Sequence, residues 1–85
     1  MLHKDLAKNF ASVLQKQRKA LRISQAVLAE RADCDSTMIS LIERKIRNPT
    51  LNLADSLAQG LEIPLSQLIK DAEDLRLTQR ATKKE

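Results

Sequence analysis

The chain has 85 residues, a formal net charge of +4, one cysteine (Cys34) and one histidine (His3). That length fits one domain that buries about 60–65% of its unfolded surface. A lone cysteine excludes an internal disulfide, and one Cys with one His falls short of the four ligands of a structural zinc site. No apolar run reaches 18 residues, so no transmembrane helix is expected. The first residues lack the charged-then-apolar pattern of a signal peptide, and a reducing cytoplasm is the expected setting. The charge is uneven: residues 1–50 carry a net +5 and residues 51–85 a net −1. The basic half is the half expected to face a polyanion, although a basic balance alone is weak evidence for nucleic acid.

Helix formers dominate, and the punctuators are few: Gly60, Pro49 and Pro64. In chain order, Asp5 to Leu21 places Leu6, Phe10, Leu14 and Leu21 at helical spacing, with Val13 beside them. Ser24 is the N-cap of a second helix over residues 25–32, with Leu28, Ala29 and Ala32 inward. Asp33-Cys34-Asp35 breaks the pattern, and Asp35 caps a third helix over residues 36–44. Its inward stripe is Ile39 and Ile42, with Met38 at the edge. A loop over residues 45–49 leads to Thr50, the cap of a fourth helix over residues 51–61. There Leu51, Ala54, Leu57, Ala58 and Leu61 are apolar, and Gly60 offers close packing inside the helix. Pro64 opens a fifth helix, since its missing N–H is not needed there. Leu65 and Leu68 are expected in the core. The domain is expected to span residues 1–77, followed by a polar, frayed tail over residues 78–85. Helices two and three, joined by about three residues, have helix-turn-helix spacing.

Ser24-Gln25, Leu28-Ala29-Glu30, Ile39-Ser40, Ile42-Glu43-Arg44 and Arg47-Asn48-Pro49-Thr50-Leu51 follow one another without a gap. This ordered set resembles the lambda-repressor-like (Cro/C1-type, XRE) helix-turn-helix family of bacterial and phage transcriptional regulators. The likeness reaches back to Arg18 and forward through Leu57-Ala58 to Leu68-Ile69. It implies an all-α, compact five-helix DNA-binding domain whose third helix lies in the major groove.

On that reading Ser36, Thr37, Ser40 and Leu41 face base edges. Hydroxyls can donate or accept there, and a Thr methyl or Leu can touch a thymine methyl. The plainer reading of Ser36 and Thr37 is helix capping alone. Gln25 matches a family Gln that touches the DNA backbone at a helix N-terminus, which attracts phosphate. Arg44, Lys45, Arg47 and Asn48 follow the third helix and are expected to grip phosphates, the alternative being an ordinary solvated face. The resemblance also implies a structural ion pair between Arg18 and Glu43 that orients helix three. Family members often carry Gly where this chain has Arg22, Asp33, Lys45 and Glu62, at helix ends that tend to need positive φ; the sequence leaves those turns open.

Family members pair to read two half-sites about 34 Å apart. Ile69, Ala72, Leu75 and Leu77, with less to cover them, are the expected dimer surface. The implied function is sequence-specific duplex binding as a homodimer, like a phage or prophage repressor or a restriction-modification controller. No cofactor, metal or small-molecule ligand is expected. A protein-interaction or antitoxin-type module is the competing reading, with Leu41, Val27 and Leu53 as its patch. An enzyme is disfavoured because no nucleophile–base pairing, set carboxylate pair or Gly-rich phosphate loop is present. Single-strand binding is disfavoured because Phe10 is the only aromatic residue. Membrane binding is disfavoured because the apolar face of helix one is better explained as core.

Overall fold

The computed structural model describes the backbone of residues 6–84 and the side chains of residues 6–75. Among these residues the secondary structure is all helical: α1 Leu6–Ala20, α2 Gln25–Ala32, α3 Ser36–Glu43, α4 Leu51–Leu61 and α5 Leu65–Lys84. The expected bounds of α2 and α4 match, whereas α1 and α3 end one residue early. Through residue 84 the backbone of the segment expected to fray continues α5.

Three helices begin where a short polar side chain takes an orphan amide. Ser24 Oγ accepts from Val27 N–H, Asp35 Oδ1 from Thr37 N–H and Thr50 Oγ1 from Leu53 N–H, each at 3.0 Å. The four inner helix ends share one device. Arg22, Asp33, Lys45 and Glu62 have φ of 59°, 56°, 65° and 60°, the left-handed region usually given to glycine. Each closes a Schellman motif. After α1, for example, Arg22 N–H donates to Lys19 O and Ile23 N–H to Arg18 O; after α3, Lys45 N–H donates to Ile42 O and Ile46 N–H to Leu41 O. The next residue is apolar at all four ends. Ile23, Cys34 and Ile63 tuck against the core. Ile46 does not, and it is 63% exposed.

α1 packs along α5, and α2 lies between α3 and α4. Leu14, Leu28, Ile39, Ile42, Leu57 and Leu68 are the largest fully buried side chains. Gly60 lets α4 approach α2: a Cβ there would come within 2.9 Å of Leu28 Cδ1 and 3.4 Å of Ala32 N. Asn9, buried on α1, donates from Nδ2 to the Ala72 carbonyl on α5 at 3.4 Å.

Several expectations need correction. Leu21, assigned to the stripe of α1, is 46% exposed, because the chain has already left the helix. Leu51, assigned to the apolar set of α4, is 76% exposed at its first position. Leu65 is half-buried rather than central. Ala72, expected on an uncovered surface, is fully buried within the protomer, because α5 packs along α1 well past Leu68.

Candidate nucleic-acid interface

The alternation of inward and outward residues on α3 decides what this helix can present. Ile39 and Ile42 are fully buried and Glu43 nearly so. Thr37 is exposed, and Ser36, Ser40 and Leu41 are half-buried. Residues four apart share a helix face, so Ser36 and Ser40 form one pair and Thr37 and Leu41 another. Met38, half-buried, packs on the core as expected at an edge; Leu41 does not join that packing. The outer side of α3 therefore offers three hydroxyls and a leucine.

The turn that follows is cationic. Arg44, Lys45, Arg47 and Asn48 are all exposed, and the left-handed backbone at Lys45 reverses the chain between them. At the entry to α2, Gln25 is half-buried. The first-turn amides of Gln25 and Ala26 precede the first i→i−4 bond, from Leu28 N–H to Ser24 O. An eight-residue helix with open first-turn amides favours an anion at that end.

Behind these surfaces lies a polar cluster centred on Glu43. Arg18 Nε donates to Oε2 at 2.7 Å and Arg18 Nη2 to Oε1 at 3.0 Å, a two-point ion pair. Gln25 Nε2 donates to Oε1 at 3.0 Å and Gln15 Nε2 to the same oxygen at 3.3 Å. Arg18 Nη1 reaches on to the Ile23 carbonyl at 2.8 Å. Burial by itself raises the Glu43 pKa, but the hydrogen bonds from Arg18, Gln25 and Gln15 and the Arg18 charge outweigh it and hold the carboxyl below its ordinary value. Arg18 is held above its ordinary value, chiefly by its hydrogen bond to Glu43, against desolvation. The structure thus brings Arg18 and Glu43 together as the sequence implies. It adds Gln15 and Gln25, for which sequence reasoning supplied no such role; helical spacing put Gln15 near Arg18 on α1, and that was the available signal.

Cys34, in the turn between α2 and α3, is half-buried, and its thiol is pushed up by burial and then by Asp35 and Asp33, so it stays protonated at neutral pH. Of the residues expected at a dimer surface, Ile69 is half-buried against the core, Leu75 is half-buried without packing on it, and the side chain of Leu77 lies outside the described residues. No group of three or more His, Cys, Asp or Glu able to hold a metal occurs among the described residues. Among them, too, no helix is long and apolar enough to cross a membrane.

A family model described as "Helix-turn-helix" (HTH_3) matches residues 14–68. No curated protein matches the chain in sequence. Among solved structures, the wild-type restriction-modification controller protein C.Esp1396I is 29% identical with a TM-score of 0.75, over 81% of this chain and 88% of that one. The restriction-modification controller protein C.AhdI from Aeromonas hydrophila is 32% identical with a TM-score of 0.70, over 76% of this chain and 97% of that one. The clp gene regulator ClgR from Corynebacterium glutamicum, at 19% identity and a TM-score of 0.85 over 93% of this chain and 84% of that one, shares the fold. With the family model running from the second half of α1 through α2, α3 and α4 to the start of α5, the chain belongs to the XRE-type helix-turn-helix family of DNA-binding transcriptional regulators.

Proposed function

We propose that this regulator binds duplex DNA as a cytoplasmic homodimer, each subunit laying α3 in the major groove of one half-site, and that it acts by binding alone, without catalysis. The observation that carries this reading is the division of α3. Ile39, Ile42 and Glu43 are buried, while Thr37 with Ser36, Ser40 and Leu41 remains toward solvent, followed at once by a cationic turn. Ser36, Thr37, Ser40 and Leu41 contact base edges, where hydroxyls and a branched apolar side chain discriminate bases. Gln25, Arg44, Lys45, Arg47 and Asn48 hold the phosphates on either side, which fixes register without reading sequence. Ile69 and Leu75 on α5, together with Leu77, form the surface for the second copy. The identity to two controller proteins supports a role in restriction-modification control, with a phage or prophage repressor as the related possibility.

Selection of bound duplexes from a random library tests this reading. It should return a two-fold symmetric site with half-sites about one helical turn apart. On that site the affinity should fall with salt at a log–log slope of about −5 to −7, as expected if each subunit neutralises three or four phosphates. Recovery of no duplex, or a flat response between 50 and 200 mM salt, would overturn DNA binding. In that event a protein-binding role for the same surface would be the reading to pursue.

A further inference from the structure

Glu43 is the last residue of α3, yet its carboxylate is bonded chiefly to groups on other elements. Oε1 accepts from Gln15 and Arg18 on α1 and from Gln25, the first residue of α2. Oε2 accepts from Arg18 Nε at 2.7 Å. The side chain of Glu43 is 1% exposed, and the bidentate arginine leaves the carboxylate no freedom to swing. Arg18 also holds the Ile23 carbonyl, in the turn just ahead of the Ser24 cap. A continuous polar chain, Ile23–Arg18–Glu43–Gln25, therefore closes around the N-terminus of α2 and is anchored on the end of α3.

We propose that Glu43 is a positioning residue for DNA binding: it holds the Gln25 amide in place at the first turn of α2, so that a DNA phosphate meets a side chain whose orientation is set by α3. This rests on the reading that the first turn of α2 faces the DNA backbone.

Three features support it. The Gln25 amide spends one N–H on Glu43, and its second N–H remains for another acceptor. A long side chain fixed before binding loses less rotamer freedom when it binds. The Arg18 charge offsets that of Glu43, so the carboxylate behind Gln25 does not repel an approaching phosphate. The consequence is a fixed geometry between two DNA-facing elements. The backbone grip at α2 and the base-reading helix α3 share one carboxylate, and a disturbance at either reaches the other.

A double-mutant cycle on affinity for a duplex recovered from the library tests this, with thermal melting of every variant alongside. Gln25→Ala should weaken binding about tenfold in the parent and less than threefold in a Glu43→Gln background, with a melting temperature within a few degrees of its own parent. A tenfold loss in both backgrounds would show that Gln25 acts independently of Glu43 and would overturn the proposal. So would unchanged affinity for Gln25→Ala in the parent, while leaving DNA binding itself intact. Recovery of no duplex fails both readings. Should Glu43→Gln not fold, NMR of the parent decides. The Gln25 side-chain amide protons should shift on addition of the duplex while keeping their contacts to the Glu43 side chain. Loss of those contacts in the complex would overturn the proposal.

Discussion

Arg18 and Glu43 meet through two hydrogen bonds, Nε to Oε2 at 2.7 Å and Nη2 to Oε1 at 3.0 Å, and so join the last turn of α1 to the end of α3. Both residues are buried, at 9% and 5% exposure. Removing one partner strands the other, which costs far more than losing a surface charge. Gln15 and Gln25 still solvate the carboxylate in Arg18→Ala, so the expected loss sits at about 3 kcal/mol, the low end for a buried pair. In a domain of this size that is a fall of more than about 10 °C in melting temperature. A variant melting within a degree of the parent would show that the pair does not hold α3.

The same pair sets an acid limb of stability. The folded Glu43 carboxyl titrates below its ordinary value of 4.5. A group whose folded pKa is depressed contributes stability above the unfolded pKa and loses it as pH falls through the folded value. Unfolding midpoints in urea should therefore be level from pH 7 to about 5 and decline below about 4.5. Glu43→Gln should begin from lower stability and decline less steeply over that acid window. Parallel limbs for the two proteins would assign the acid sensitivity to other carboxylates.

The left-handed helix ends divide stability from binding. A non-glycine residue there costs about 1 kcal/mol or more relative to glycine. Glu62→Gly and Lys45→Gly should each raise stability by about that amount. Only Lys45→Gly, which removes a cation just after α3, should also weaken duplex binding and make the salt slope shallower by about one per subunit. Loss of stability in Glu62→Gly would mean that its side chain contributes more than its backbone conformation costs.

Base reading and phosphate gripping should separate by mutation. Thr37→Ala and Leu41→Ala should change which bases are preferred, by about 1–3 kcal/mol at one or two positions of each half-site. Arg47→Ala should weaken all sequences alike. Competition against single-base variants of the selected site, at two salt concentrations, distinguishes these. The opposite pattern, with Arg47 controlling one base and Thr37 none, would mean that α3 is docked differently.

Local signals in the sequence determined where the helices start and which way they face. Ser24, Asp35 and Thr50 cap because their side-chain oxygens reach an amide two or three residues on, a relationship within one turn. Ile39 and Ile42 face inward because their spacing follows the helical period. The pairing of Arg18 with Glu43 was legible through family resemblance, as no local rule joins residues 25 apart. Tertiary packing alone decided the rest. Ala72 is apolar on a helical stripe, which suits a core or an interface equally; the length over which α5 lies along α1 put it inside. Leu51 has the same apolar character and lies in water: it opens α4 on the side away from the core, while Leu53 and Ala54 in the same turn pack inward. Ile46 follows the same turn geometry as Ile23 and Ile63 but finds no core beneath it. The left-handed conformations of Arg22, Lys45 and Glu62 run against residue preference, and the packing of the helices on either side imposes them. Gln25 is polar at a helix start, and its propensity is silent about a partner; the approach of α3 to the entry of α2 supplied Glu43.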